Sequence, residues 1–531
     1  MSKVKLAGAV FFVALAAASS RAQLPPAATP GFKADGVYDF KNVDNVSLMN
    51  GGLSINIPIV GPYAVNGGLN WSLQLNYTNQ AWEAYPTTCP PTGEICDGVV
   101  YPKPDRKGGL GWRVSLGELR KPIGVGSLYN PRWVYSDPSG GEHVLYPNLH
   151  PLEGPDPGDP NPPVALLEGV NYTRDNSFLR VTCATPATFG DCRVQFPNGD
   201  EHKFQNFGTT TAPEYRLTEI KDQFANVVSV AYNSNNTLWT ITQTGSARAV
   251  HVGFWDPGAS YPNQRRLLQY IDAPCFQNLC NGGPSTTAQW TFVQQTASVW
   301  RPAIFNASYS VPTTAWVLTD INLPDGTSYS TPPAGYENNA TGEIASLTLP
   351  TAGRIEWDWT STIFPDMQST IPCPQQIPPN MNFWTDVNGV SARREYDPGS
   401  AVPANPIGTW TYTREFTTST PQGTTQSLKV TLVTPLKDKS EHFFSMYPVE
   451  NGAASCGLLY DPPMWGATIG DYAMPFTRQF ADAVNADGIQ RYLSSKVYDC
   501  DANGNNCVAA REVYQAWETD GGSLSWGNGS L

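Results

Sequence analysis

The sequence predicts an all-β fold, with antiparallel meanders and hairpins stacked into an extended sheet or a sandwich-like body and its loops stapled by disulfides. Three observations predict it. Among 531 residues there are 47 Gly and 47 Pro, aromatic residues make up 11% and charged residues only 15%, a balance that favours strands broken by turns over helices. Apolar residues recur with period two in many short stretches, the mark of a half-buried strand. Gly, Pro, Asn and Asp clusters separate those stretches at the spacing hairpins require.

The N-terminus reads as a targeting segment. Lys3 and Lys5 form a positive region, Leu6–Ala18 is an apolar core, and Ser20-Arg21-Ala22 places small residues at −3 and −1. Cleavage is expected after Ala22, so residues 1–22 are a signal peptide and the mature protein is secreted, periplasmic or on the cell surface. The apolar run is too short for a membrane span. Residues 23–35 are a Pro- and Ala-rich leader. Three β-rich regions are expected after it: 36–160, 161–360 and 361–531, with loop-like boundaries at 151–163 and 361–395. Residues 479–486 have the pattern of a short helix.

The first region carries Leu53-Ser54-Ile55-Asn56-Ile57-Pro58-Ile59 and then Leu69–Tyr77, in which Leu69, Trp71, Leu73, Leu75 and Tyr77 share one face. A small motif recurs at Gly140–Tyr146, Asn198–Phe204 and Asp325–Tyr329, each time a turn Gly shortly before an aromatic ring. The stretch 316–359 shows the pattern most fully. Val317, Thr319, Ile321 and Leu323 alternate with polar or outward positions, and Pro324-Asp325-Gly326 supplies the φ values of a tight hairpin. Thr327, Ser328 and Tyr329 begin a return strand. Gly342-Glu343 opens a third strand, Ile344–Leu349, and Pro350-Thr351-Ala352-Gly353 turns it into a fourth, Arg354–Trp359.

LTDINLPDGTSY followed by GEIASLTLPTAGRIEWDW resembles the pre-repeat region of bacterial Rhs/YD-repeat proteins. The strand at Leu53–Ile59, the strand at Leu69–Tyr77 and the Gly111-Trp112 pair are similar to the N-terminal region of that family. Residues 214–254 resemble a YD unit through Leu217, Ile220, Asp222, Asn226 and Tyr232, with Ala225 where the family prefers Gly. Lys496-Val497-Tyr498-Asp499 with Gly504-Asn505 is a further YD-like fragment. The resemblance covers about half the chain. It implies a structural or surface-interaction role in which the sheet itself is the product.

Ten cysteines, an even number in an exported chain, point to disulfides. Close spacing suggests Cys89–Cys96, Cys183–Cys192, Cys275–Cys280 and Cys500–Cys507, leaving Cys373–Cys456, although spacing alone leaves the connectivity open.

Few residues suggest chemistry. Glu356 and Asp358 share a strand face about 6.5–7 Å apart, a separation that suits a glycosidase acid pair; polar-out alternation explains them as well. Asp499, Asp501 and Asn503 match the start of a calcium loop, but Ala510 stands where the closing Glu belongs and Glu512 comes two residues late. A hairpin turn stapled by Cys500 and Cys507 accounts for the same residues. The pairs Glu142/His143, Glu201/His202 and Glu441/His442 are adjacent on strands, so their side chains point to opposite faces. Sixteen Trp and 24 Tyr include candidate sugar-stacking rings, although most belong in a core. A net charge of −13 argues against a nucleic-acid partner. The mature sequence has no nucleophile-elbow, zincin, P-loop or dinucleotide fingerprint. The expectation is a non-enzymatic exported scaffold without a cofactor, calcium apart, whose partner is a glycan or a cell-surface protein. A carbohydrate-binding adhesin-like module comes second and a glycoside hydrolase third.

Overall fold

The structure is a computed structural model. It describes residues 38–530 apart from 41–42, 67, 89–94, 104–105, 121–132, 146–168, 174–176, 185–190, 209–213, 259–263, 265, 276–286, 302–310, 338–340, 365–384, 400–404, 421–422, 446–491, 502–503, 515–516, 519–523 and 527–528. Nearly every described element is a strand, as the composition predicts.

One sheet dominates. Strand follows strand in sequence order through 20 members, from Gly169–Tyr172 to Val508–Tyr514. Each neighbouring pair is antiparallel, so no crossover connection is needed. The ladder continues across residue 361, because Arg354–Phe364 pairs with Thr385–Tyr396.

One turn geometry closes seven of the hairpins. In each, the N–H of the first residue donates to the carbonyl of the fifth, and the N–H of the fourth donates back to the carbonyl of the first. The first residues are Asp137, Phe196, Asp222, Leu323, Leu349, Thr434 and Asp501. The fourth residues, Gly140, Gly199, Ala225, Gly326, Ala352, Lys437 and Gly504, all have positive φ. This is the three-residue hairpin loop that ends in a left-handed residue. It explains why a turn Gly recurs just ahead of the return strand.

A five-stranded sheet is formed by Tyr38–Phe40, Asp44–Ser47, Leu53–Val65, Leu69–Thr78 and Trp112–Ser115, in that order. The face carrying Leu69, Trp71, Leu73, Leu75 and Tyr77 is buried, as are Leu53, Ile55 and Ile57 on the partner strand. These side chains join one apolar cluster with Val230, Ile241, Val252, Val317, Leu347 and Ile355 of the large sheet. Burying each such side chain is worth about 1.5–3 kcal/mol relative to exposure.

The small sheet lies across the large one. Asn66 meets Asn226, Trp71 meets Gln243, the Tyr77 hydroxyl meets the Ile344 amide, and Asn79 meets Asn388. Contacts along the small sheet's strand thus step through the large sheet in strand order. An extended span from Asn66 to Asn79 is about 43 Å, which matches the nine strand spacings between Val227–Tyr232 and Thr385–Tyr396. Near-perpendicular packing of two sheets produces this pattern.

Three smaller units complete the described fold: a sheet of Glu142–Val144, Val134–Ser136 and Glu118–Arg120, a hairpin of Trp82–Thr88 and Ile95–Pro102, and a sheet of Trp517–Glu518, Leu524–Trp526 and Gly529–Ser530. The expected third strand of the 316–359 stretch is shorter than predicted, Ser346–Thr348, and a helical turn, Ala334–Glu337, precedes it. Pro332 and Pro333 favour a helical start there. Tyr336 holds the turn in place by donating its hydroxyl hydrogen to Leu318 O at 2.7 Å and accepting from Trp112 Nε1 at 2.9 Å.

Cys183–Cys192 and Cys500–Cys507 are disulfides. Cys275 is disulfide-bonded, and its expected partner Cys280 lies outside the described residues, as do Cys89, Cys373 and Cys456. The Cys96 side chain is likewise not described. The signal segment, the leader, the 151–163 loop and the expected helix at 479–486 also lie outside them. Among the described residues no helix is long and apolar enough to cross a membrane.

Candidate functional site

The polar chemistry of the described residues concentrates in the seam between the two sheets. At one end Asp44, fully buried, receives Arg393 Nε at 2.7 Å and Nη2 at 2.9 Å. Trp357 Nε1 donates to the same carboxylate at 3.0 Å. Arg393 also reaches Glu395 at 2.8 Å and lies 4.7 Å from the Trp410 ring centroid. Burial by itself lowers a guanidinium pKa, but hydrogen bonds and charge from Asp44 and Glu395 outweigh it, so that of Arg393 is raised. Arg393 stays charged, and its contact with Asp44 is bidentate.

Arg414 stands beside it and donates to three carbonyls of the 47–51 turn and its neighbour: Ser47 at 3.3 Å, Met49 at 3.1 Å and Val390 at 2.8 Å. Burial lowers its pKa to about 10, opposed by the charge of the neighbouring Tyr412. Tyr412 donates to Asp39 at 2.7 Å. Gly51 and Gly389 bring the two backbones together; a Cβ on Gly389 would lie 2.4 Å from Asn50 O.

Further along the same strand, Asn388 O accepts from Asn79 Nδ2 at 2.9 Å, and Asn79 accepts from Leu53 N at 3.0 Å. Trp82 Nε1 donates to Thr341 O at 2.8 Å. Thr341 donates its hydroxyl hydrogen to Glu343, and Asn388 Nδ2 reaches both Thr341 Oγ1 at 2.9 Å and Glu343 Oε1 at 3.2 Å. Burial raises the Glu343 pKa above its ordinary value, opposed by those hydrogen bonds. None of these residues stands out in the sequence. Asp44, Glu343 and Asn388 come from separate segments, and only the crossing of the sheets makes them neighbours.

The residues singled out by sequence lie elsewhere. Glu356 and Asp358 share the outer face of Arg354–Phe364, but each is held by an arginine. Glu356 pairs with Arg354 at 2.9 Å, and Asp358 pairs with Arg394 of the next strand. Asp358 is half-exposed, and the strand bulges immediately after it.

Asp499 ends the strand Tyr492–Asp499 and is paired with Val508. Asp501 Oδ1 accepts from Asn505 N and Oδ2 from Asn506 Nδ2, both at 2.8 Å. Asn503 lies outside the described residues. Both Asp501 oxygens thus serve its own turn. Among the described residues no group of three or more His, Cys, Asp or Glu is placed to hold a metal.

The Glu-His pairs divide between faces. Glu142 sits among Lys103, Arg106 and Arg120, while His143 turns to Asp137 at 3.2 Å. Glu201 bonds Arg193, while the buried His202 meets the Tyr135 hydroxyl at 3.0 Å. Glu441 accepts from Tyr498 at 2.6 Å, while His442 meets Ser440 at 3.0 Å. Burial lowers the pKa of His202 to about 3 and that of His442 to about 4. Both are neutral at physiological pH, as packed core histidines should be.

Phe207, Tyr232, Trp239 and Phe254 meet in tilted or edge-on contacts, and Arg216 lies 4.7 Å from the Phe207 centroid and 5.6 Å from that of Tyr232. Comparison with known proteins finds no protein-family model and no curated protein that matches this chain.

Proposed function

We propose that the chain is an exported structural protein of the Rhs/YD-repeat type, a β-sheet scaffold for surface interaction without catalysis of a substrate. One observation carries this reading. The buried charged and hydrogen-bonding residues of the seam lock the small sheet across the 20-stranded one, and the candidate acids are tied into ion pairs. Buried polar networks of this kind, with their partners satisfied, rigidify and specify a unique shape. The hairpin-by-hairpin construction supports a scaffold role, the role that the resemblance at 53–77, 214–254 and 316–359 implies.

The test is a glycan array and a glycan-cleavage screen on the folded, oxidised mature protein beginning at Gln23. The scaffold reading expects a blank in both. Binding to one glycan class that is lost on Trp replacement overturns it in favour of an adhesin-like module. Cleavage lost on Glu356→Gln overturns it in favour of a hydrolase. Sequencing the exported protein's N-terminus tests the compartment, and a first residue other than Gln23 counts against the expected processing.

A further inference from the structure

We propose that Thr341 and Asn388 become joined by an ester cross-link, with Glu343 as the proton carrier. Three observations bring the reaction to this place. The nucleophile, the carboxylate and the carboxamide are in mutual hydrogen-bond contact: Thr341 Oγ1 with Glu343, Asn388 Nδ2 with Thr341 Oγ1 at 2.9 Å, and Asn388 Nδ2 with Glu343 Oε1 at 3.2 Å. A C–N bond of about 1.33 Å then places Asn388 Cγ within about 4.2 Å of the hydroxyl oxygen. The same Glu343 oxygen touches the hydroxyl that must lose a proton and the nitrogen that must gain one.

The backbones of both reacting residues are also held. Thr341 O accepts from Trp82 Nε1 and Asn388 O accepts from Asn79 Nδ2. Beyond Asn388, the close approach of Gly389 to Gly51 leaves no room for the strand to shift. Holding reactants in contact is the largest advantage an intramolecular reaction has. Finally, Glu343 is 5% exposed, and burial makes its carboxylate a stronger base than usual.

The step balances within these three residues. Thr341 Oγ1 gives its proton to Glu343 and attacks Asn388 Cγ, forming a tetrahedral carbon. Glu343 passes the proton to Nδ2, the C–N bond breaks, and ammonia leaves. The product is a Thr341 Oγ1–Cγ Asn388 ester, and Glu343 is again a carboxylate. In the resting arrangement the amide meets the hydroxyl with its N–H edge. Rotation about χ2, a broad sp³–sp² torsion, turns the carbonyl face to the attacking oxygen. The bond would tie the loop before Ser346–Thr348 to Thr385–Tyr396, skipping the strand between them.

The experiment is the intact mass of the folded mature protein, measured after full reduction. The expected mass is lower than that of the sequence by one ammonia, and peptide mapping should find the segments containing Thr341 and Asn388 joined by a link that hydroxylamine cleaves. Thr341→Ser keeps the hydroxyl and should keep the loss. Thr341→Val and Glu343→Gln, checked for folding by near-ultraviolet circular dichroism, should not show it. An unmodified wild-type mass overturns the proposal, as does conversion of Asn388 to Asp, which would make water the nucleophile. Cyclisation of an N-terminal Gln23, or of Asn388 onto Gly389, also releases one ammonia, so the loss is assigned by the mapped Thr341–Asn388 peptide: its absence from the wild type overturns the proposal, and misfolding of a variant does not blunt that test.

Discussion

Ala225 occupies the left-handed region at φ 66°, where an L-residue with a Cβ costs about 1–2 kcal/mol. The Asp222 turn compensates locally, with Asp222 Oδ1 accepting from Phe224 N and Asn226 N, both at 2.9 Å. Ala225→Gly removes the strain at an entropic cost of about 0.5–1 kcal/mol. The expected net gain is about 0.5–1 kcal/mol, read as a higher urea midpoint at unchanged slope. A lower midpoint would mean that the turn is not strained there. The two buried histidines set a pH dependence. Their folded pKa values, about 3 for His202 and about 4 for His442, lie below the ordinary 6.5, so the unfolded chain takes up protons first as pH falls. Their contribution is complete above pH 6.5 and declines toward pH 4 by up to about 1.4 kcal/mol per pH unit for each ring. Glu343 acts in the opposite sense: its raised folded pKa gives stability that is full below 4.5 and lost as pH rises through that value. Urea midpoints between pH 7 and 5 in wild type and His442→Gln separate the contributions. A midpoint that falls equally steeply in both would remove His442 from the account.

At the scale of the element, the repeated hairpin turn shows how far a sequence pattern reaches. Gly140, Gly199, Gly326 and Gly504 stand at the left-handed position, and there the turn is legible because only Gly adopts that φ without strain. Ala225, Ala352 and Lys437 occupy the same position without that mark; the Ala352 turn is legible instead through Pro350 and Gly353, and the Lys437 turn only through the flanking alternation. The helical turn Ala334–Glu337 is marked only by Pro332 and Pro333 ahead of it, since its hold comes from Trp112 and Leu318, distant in sequence. The contact of strand Thr385–Tyr396 with the 47–52 turn is similar. Gly389→Ala forces a Cβ to within 2.4 Å of Asn50 O and should cost about 1–3 kcal/mol, the usual penalty of overpacking. A neutral result in urea denaturation would mean that the two backbones separate freely.

For the whole molecule, the crossing of the sheets makes one cooperative body from segments hundreds of residues apart. Removing one partner of a buried ion pair typically costs about 3–5 kcal/mol. Asp44→Ala should therefore lower the unfolding midpoint of both sheets by the same amount. Near-ultraviolet circular dichroism, dominated by the many Trp, and far-ultraviolet circular dichroism should report coincident transitions. Two separated transitions, with only the earlier one moved by the substitution, would show that the sheets unfold independently. The sequence by itself determined the fold class, the strand-and-turn alternation and the opposite facing of adjacent Glu and His residues, because period-two burial and the φ needs of turns act over a few residues. Only the tertiary structure decided which polar residues matter. Asp44 with Arg393 and Thr341 with Glu343 and Asn388 are brought together by one sheet lying across another, and no local periodicity encodes which residues such a crossing makes neighbours.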